Sequence, residues 1–372
     1  MRRALDLAHE GRFTVSPNPR VGCVIAKPFE DSHRLSYRII GEGFHFKRGE
    51  PHAERVALRN CREDSRGAVL FVNLEPCGHT GLTPPCTDTI VEAGIRRVVA
   101  ATLDPFPQVA GKGVAILREK GIQVDVGLLE ADARYENRFF FHRHERGLPW
   151  VLLKAACSLD GKMATGTGDS KWITGEIARA HVQEIRAEAD AILVGVGTVM
   201  LDDPRLTARF PLPYPCEKTR PVRVILDPAG AIPLTSRILC DGEANPVWIL
   251  GGDKFPESAQ KQYLEKGARV FRVSGDELRL DLSEALQLLA RENILSVLVE
   301  GGPRLHTSFL ESGLVNELLI YIAPILIGGS RAPTFYMGQG VDTMSQAGRL
   351  ERVERLLLGE DTLIRGILRR RL

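Results

Sequence analysis

Apolar and polar positions follow two different rhythms through residues 1–146. RALDLAHEG, residues 3–11, spaces its apolar side chains along one face of a helix. VGCVIA and YRIIGEGF are short apolar runs that predict strands, and the polar stretch between them, KPFEDSHRLS, predicts a hairpin loop. HAERVALRN returns to the helical rhythm. AVLFVNLE reads as a buried strand and runs into a loop rich in glycine and proline. TPPCTDTIVEAG predicts a helix stopped by Gly94, and IRRVVAATLD the next strand. GKGVAILREKG and IQVDVGLL repeat helix then strand, and ADARYENRFFFHRHERG predicts one helix leading out. That order of elements predicts a three-layer α/β/α sandwich.

Gly147 and Pro149 punctuate RGLPW, and WVLLKAACSLDG opens a fresh strand after it. The boundary therefore separates a domain over 1–146 from one over 147–372. In the second, AILVGVGTV, PVRVILD, PVWILGG, LSVLVEGG and ELLIYIAPILIG predict strands. EIARAHVQEIRAEAD, LSEALQLLARENI and RLHTSFLESG predict helices, so this half is also α/β. No internal repeat relates the halves.

Composition narrows the function classes. A net charge of +2 over 372 residues argues against a dedicated nucleic-acid binder, and the basic ending LRRRL reads as a solvated chain end. MRRALDLAHEGRF has no apolar core of a signal peptide, and no apolar run reaches bilayer-spanning length. The expectation is a cytoplasmic protein acting on a small molecule, with no nucleic-acid or membrane partner. Its seven cysteines are odd in number and thinly spread, which is not a disulfide framework. Two of them, Cys77 and Cys86, share the loop PCGHTGLTPPC. In a reduced compartment two cysteines in one loop read as metal ligands, with free thiols or a disulfide as the alternatives.

Upstream lies PHAERVAL, where His52 and Glu54 form an H-x-E pair at a helix start. One imidazole and two thiolates make three zinc ligands and leave a fourth position for water, as catalysis requires. Zinc nucleobase deaminases combine such ligands with a nearby glutamate that is not a ligand and shuttles protons. Glu54 has that place. Cys86 follows Pro84 and Pro85 at a helix start, which favours its thiolate. A structural zinc site with His79 as fourth ligand is the competing reading, although it has no need of Glu54.

The motifs HAE, EPC-x-H-x-G-x-TPPC, SPNPRVGCVI and GEGFH, in this arrangement, resemble the bifunctional riboflavin-biosynthesis proteins, a pyrimidine deaminase fused to a reductase. The eight residues between Cys77 and Cys86 are that family's form of the motif. The resemblance implies a cytidine-deaminase-like first domain with one zinc held by His52, Cys77 and Cys86 and with Glu54 catalytic. Its substrate would be 2,5-diamino-6-ribosylamino-4(3H)-pyrimidinone 5′-phosphate, touched by Asn18 and His45. The sequence departs from the family at Leu82, where Arg or Lys is expected to meet the phosphate. Lys47 and Arg48 are candidate replacements.

The second half has no G-x-G-x-x-G fingerprint. VEGGPRL places Gly301 and Gly302 between a strand and a helix, which suits a phosphate or is an ordinary tight turn; the residues alone leave both open. KAACSLDGKMA, DSKWITG, VGVGTVMLDDPRLTAR and VEGGPRL stand in the order of the riboflavin reductase domain. That resemblance implies a dihydrofolate-reductase-like fold using NADPH. Ala156, Trp172, Thr198, Asp202 and the turn Gly302, Pro303, Arg304, Leu305, His306, Thr307, Ser308 would lie against the cofactor. Ser170, Arg186, Arg209 and Glu300 would contact the phosphorylated substrate, and Lys154 is a candidate for a polar or proton-transfer role. The family also implies a homo-oligomer, dimer or tetramer. The alternative is a nucleoside or RNA deaminase with an appended domain that is not a reductase.

Overall fold

Side chains that alternate across one short strand build the layers of the first unit. Cys23 and Ile25 enter one buried cluster and Val24 a different one. In the computed structural model, which describes residues 1–31, 34–80, 84–106, 109–211, 221–240 and 246–369, Met1–Gly147 form one compact unit and the described residues from Leu148 a second.

The first unit runs α1 (Arg2–Glu10), β1 (Gly22–Asp31), β2 (Arg34–Phe44), α2 (Ala53–Arg59), β3 (Val69–Val72), α3 (Cys86–Glu92), β4 (Arg97–Ala100), α4 (Lys112–Glu119), β5 (Gln123–Val126), α5 (Glu130–Glu136) and α6 (Arg138–Arg146). Its sheet has the order β2-β1-β3-β4-β5. Cys23, Ile25, Leu70, Val72, Val98 and Ala100 bury one face against Ala53 and Ala57 of α2, Ile90 of α3 and Leu117 of α4. Val24 and Phe71 face the other way onto Ala4 and Leu7 of α1. The three-layer sandwich follows from that alternation.

Two local expectations fail in this unit. The described residues of the predicted loop KPFEDSHRLS are strand: Lys27 to Asp31 pair with Arg38 to Arg34. Only Cys23–Ala26 also pair with β3, so Pro28 lies on a two-stranded ribbon that needs no donor on its outer side. The predicted single exit helix is two, α5 and α6, separated at Asn137. The Asn137 side chain accepts from Arg20 N at 2.7 Å and donates to Arg20 O at 2.8 Å, pairing with that segment as a strand would.

The second unit runs β6 (Trp150–Ser158), α7 (Glu176–Glu188), β7 (Ala191–Gly195), α8 (Val196–Asp202), β8 (Val222–Leu226), α9 (Arg237–Cys240), β9 (Val247–Gly251), α10 (Glu257–Glu265), β10 (Arg269–Arg272), α11 (Leu282–Arg291), β11 (Ser296–Val299), α12 (Pro303–Glu311), β12 (Glu317–Ala323), β13 (Arg349–Leu358) and β14 (Asp361–Arg369). The nine strands are ordered β10-β9-β8-β7-β11-β6-β12-β14-β13. All pairs are parallel except those of β14 with β12 and β13. Val151, Leu153, Leu193, Val297 and Val299 face a core with Ala285 and Leu289 of α11 and Phe309 of α12. Ile192, Val194, Ile225 and Ile249 face the opposite core. Parallel strands buried on both faces need continuous apolar runs, and these strands have them.

AILVGVGTV, expected as one strand, turns into α8 after Gly195. The closing hairpin of β13 and β14 carries no expectation from the sequence, and Leu368 and Arg369 end its last strand. Those two residues are part of the sheet, with Arg369 exposed, and the other three residues of LRRRL lie outside the described residues.

Candidate active sites

In the first unit the zinc candidates converge. His52 caps α2, Cys86 is the first residue of α3, and Cys77 lies in the loop after β3. Their ligand atoms lie within 4.8 Å of one another. His52 Nδ1 is 3.5 Å from Cys77 Sγ and 3.3 Å from Cys86 Sγ, so one ring nitrogen faces both sulfurs. Cys86 N also points at Cys77 Sγ, at 3.4 Å. Hydrogen bonding with Cys86 holds the Cys77 thiol well below its usual range, whereas Cys86 is pushed up by the same pairing and by burial. A divalent cation suits this donor set, because it neutralises sulfur charge that the protein alone leaves crowded. His79 is exposed and outside the group, so among the described residues no fourth protein ligand completes it.

Glu54 is buried at 3 % exposure, and among the described residues its Oε2 has no hydrogen-bond partner. Burial, then the Cys77 charge, pushes its carboxyl up. A buried carboxylate oxygen without a partner is costly for stability, which marks it for a ligand or a proton.

His45 Nδ1 faces Pro51 O at 3.2 Å, and its Nε2 faces Asn18 Nδ2 at 3.1 Å. A carbonyl only accepts, so Nδ1 carries the proton and Nε2 accepts from Asn18. The ring stays neutral: burial, then His52, lowers its pKa to about 4. The same ring packs edge-on to His52 at 5.2 Å. Asn18 is thereby tied to the ring that packs against His52. Leu82 lies outside the described residues.

In the second unit the polar candidates gather at the carboxyl ends of parallel strands, where open α/β sheets bind ligands. Val299 pairs with Leu153, so the next residues, Glu300 and Lys154, are neighbours. Arg186 Nε and Nη2 donate to the two Glu300 oxygens at 2.6 and 2.8 Å, and Nη1 donates to Thr207 O. Lys154 Nζ is 4.0 Å from Glu300 Oε2. Burial pushes the Glu300 carboxyl up, but Arg186 and then Lys154 outweigh it and hold it at about 2. Burial lowers the Lys154 pKa against the pull of Glu300. Among the described residues Arg186 therefore commits three of its five N–H groups, which leaves two for a ligand.

Gly195, Gly197 and Gly302 edge an open cradle at the starts of α8 and α12. A Cβ built on any of them meets no atom within 4 Å. The cradle fits a phosphorylated cofactor approaching backbone N–H groups at a helix N-terminus. Gly195 and Gly197 were not among the sequence candidates; GVG in AILVGVGTV is the signal, too short to read alone.

The remaining candidates vary in exposure. Trp172 is 73 % exposed, with the Arg179 guanidinium 4.7 Å over its ring. Ser170, Asp202, Arg209 and Arg304 are exposed, and Ala156, Thr198, Pro303, Leu305 and Thr307 are half-buried. Arg209 Nη1 donates to Thr207 Oγ1. Ser308 Oγ donates to Arg304 O within α12. His306 feels the charges of Lys154 and Glu300. It is fully buried, because positions 306 and 309 share the helix face turned to the core.

Residues 149–364 match the family described as the RibD C-terminal domain. Residues 1–102 match the cytidine and deoxycytidylate deaminase zinc-binding region. The chain is 43 % identical to the riboflavin biosynthesis protein RibD of Bacillus amyloliquefaciens, covering 99 % of this chain and 95 % of that protein. Identity to RibD of Escherichia coli K12 is 39 %, over 98 % and 97 %. Among solved structures, RibD of Acinetobacter baumannii superposes with a TM-score of 0.86 at 39 % identity, covering 99 % of this chain and 98 % of that one. The Thermotoga maritima diaminohydroxyphosphoribosylaminopyrimidine deaminase/5-amino-6-(5-phosphoribosylamino)uracil reductase superposes at 0.80 with 36 % identity, over 99 % and 97 %. With a deaminase zinc-binding region and a RibD C-terminal domain in one chain, and near-complete overlap with these relatives, this chain belongs to the RibD family of riboflavin biosynthesis proteins.

Proposed function

We propose that the first unit deaminates diaminohydroxyphosphoribosylaminopyrimidine and that the second reduces the resulting 5-amino-6-(5-phosphoribosylamino)uracil to its ribitylamino form with NADPH. The observation that carries the reading is the convergence of His52, Cys77 and Cys86 beside Glu54, whose buried Oε2 has no hydrogen-bond partner among the described residues.

His52, Cys77 and Cys86 hold zinc in this reading, and zinc would acidify a water molecule so that hydroxide is available near neutral pH. Glu54 takes one proton from the attacking water and gives it to the ring nitrogen, then carries the water's second proton to the amino group that leaves as ammonia. Among the described residues its Oε2 has no hydrogen-bond partner, which leaves that oxygen open to the traffic. Asn18 Oδ1 accepts from the pyrimidine, and His45 orients Asn18. With Leu82 in place of a cation, Lys47 and Arg48, two and three residues past His45, are the candidates for the phosphate.

In the second unit the Gly195–Gly197–Gly302 cradle, Ala156, Trp172, Thr198, Asp202 and the exposed face of the 302–308 turn take NADPH, which would supply hydride to the sugar's anomeric carbon. Lys154 and Glu300 orient the opened sugar. Ser170, Arg209 and the two remaining N–H groups of Arg186 are the polar groups for the rest of the substrate, its phosphate included.

The enzyme is read as a cytoplasmic homo-oligomer, dimer or tetramer. The described helices include none long and apolar enough to cross a membrane. The outer strand β13 leaves most of its residues exposed, and an uncovered sheet edge is a surface that a second chain can use. The deciding experiment is mass spectrometry of the pyrimidine after incubation with the zinc-loaded protein, with and without NADPH. Deamination alone without cofactor, and deamination plus reduction with it, is the expected pair. Unchanged substrate in both would refute the deaminase half of the reading, and the deaminated intermediate then tests the reductase half separately.

A further inference from the structure

The reductase unit buries a second polar pair that the proposed chemistry does not use. Tyr321, in β12, is 1 % exposed. Its hydroxyl lies 2.8 Å from Nδ1 of His181 in α7. His181 is only half-buried, so the pair links the interior to solvent.

Strand register places this pair at the reductase site. Leu318 and Ile320 face the core that holds Leu153 and Val299, so Leu319 and Tyr321 face the other way. Leu153 and Ala155 enter that same core, which sends Lys154 and Ala156 to the face of Tyr321. Tyr321 is directly opposite Ala156, and Lys154 is opposite Leu319. Lys154 is thus a diagonal neighbour of Tyr321, within reach of two long side chains. The helix α7 carries both His181 and Arg186, so it covers this face along its length.

The hydrogen-bond inventory leaves one bond to assign. A phenol donates once and accepts up to twice. If Nδ1–H of His181 donates to the Tyr321 oxygen, the phenolic O–H is free to donate elsewhere. Among the described residues no other partner takes it.

The reduction needs one proton as well as hydride. Opening the ribosylamine breaks the bond between the anomeric carbon and the ring oxygen. That oxygen must gain a proton, while the nitrogen lone pair forms the iminium that accepts hydride from NADPH. We propose that Tyr321 gives this proton to the ring oxygen and that His181 restores it from solvent. The phenolate takes the proton of His181 Nδ1 while Nε2 picks one up from water, so the dyad ends neutral as it began. This inference rests on the reductase reading above. Glu184 and Glu188 of α7, Glu354 of β13 and Arg365 of β14 act electrostatically on His181, and Glu300 acts on Tyr321. These charges keep the relay in a polar surround on its outer side.

The test uses the full chain with Tyr321→Phe and His181→Gln. Each is expected to lower reductase kcat about 10²-fold, within the range of general acid catalysis. The NADPH dissociation constant and the KM of the aminouracil substrate should stay within about twofold, which also reports that the unit is folded. Added imidazole should restore part of the rate in His181→Gly and none in Tyr321→Phe. A second measurement needs no cofactor: the wild-type protein should speed interconversion of the substrate's two anomers, followed by NMR, and Tyr321→Phe should not. Unchanged kcat in Tyr321→Phe, equal loss of NADPH binding in it, or wild-type anomerisation no faster than buffer would each overturn the proposal. A wild-type protein that speeds anomerisation but does not consume NADPH would sink the reductase reading and leave the dyad standing.

Discussion

Arg186 and Glu300 meet through two parallel hydrogen bonds, at 2.6 and 2.8 Å, with Glu300 almost fully buried and Lys154 behind it. Two cations and one carboxylate form a cluster of net positive charge at the carboxyl end of β11, beside the middle of β6. Such a cluster prefers a bound anion, which is what a phosphorylated substrate offers.

Removing the carboxylate should therefore do more than remove a contact. Glu300→Gln leaves Arg186 and Lys154 as buried like charges, and breaking a buried pair costs about 3–5 kcal/mol. Reductase activity should be lost and NADPH binding should fail at a lower temperature, while deamination by the same preparation persists. Equal melting of variant and wild type would contradict the electrostatic account.

The same pair has a pH signature. Glu300 titrates at about 2 in the folded unit, against about 4.3 in an unfolded chain. Its folded pKa is depressed, so its stabilisation is complete above roughly pH 5 and disappears as pH falls toward 2. The gap in melting temperature between wild type and Glu300→Gln should close across that window. A gap independent of pH would point to packing instead of charge.

Glu54→Gln keeps the shape and removes the proton carrier. Deamination should fall by about 10²–10⁴, with zinc content and reduction of the deaminated intermediate unchanged. Zinc analysis by mass spectrometry beside the activity assay separates this from damage to the metal site.

Chelation, or Cys77→Ser, should abolish deamination through the metal. One zinc per chain should be lost, and reductase turnover on the intermediate should survive. Simultaneous loss of both activities would show that the two units depend on one another for folding.

The open glycine cradle makes a complementary prediction. Gly195→Val and Gly302→Val put a side chain where the protein has no atom within 4 Å, at ordinary negative φ. Stability should change by no more than about 1 kcal/mol. NADPH affinity should drop at least about tenfold, as measured by fluorescence titration. A large loss of stability with intact NADPH binding would place the cofactor elsewhere.

Much of the deaminase site was legible because its signal is chemical and local. His52 and Glu54 are two residues apart at a helix start, and Cys77 and Cys86 flank one loop. A reader needs only the ligand chemistry to join them. Strands such as AVLFVNLE and helices such as HAERVALRN announced themselves by period, because burial of one face constrains every second or every third and fourth residue. KPFEDSHRLS misled because a two-stranded ribbon beyond the third strand buries too little to impose that period.

The proposed reductase site was different. Lys154, Arg186, Glu300 and Tyr321 span some 170 positions of sequence, and each alone reads as an ordinary core or surface residue. Their resemblance to a family named most of them, but not their arrangement. That Arg186 spends its guanidinium fork on Glu300, that His306 turns inward, and that Tyr321 shares a face with Lys154 all follow from strand register and helix phase. Register is settled by how whole sheets bury their two faces. The sequence by itself thus determined which chemistry the chain carries and where its elements begin, and tertiary packing alone decided which charges meet, since charges far apart in sequence find partners only after the sheet has closed.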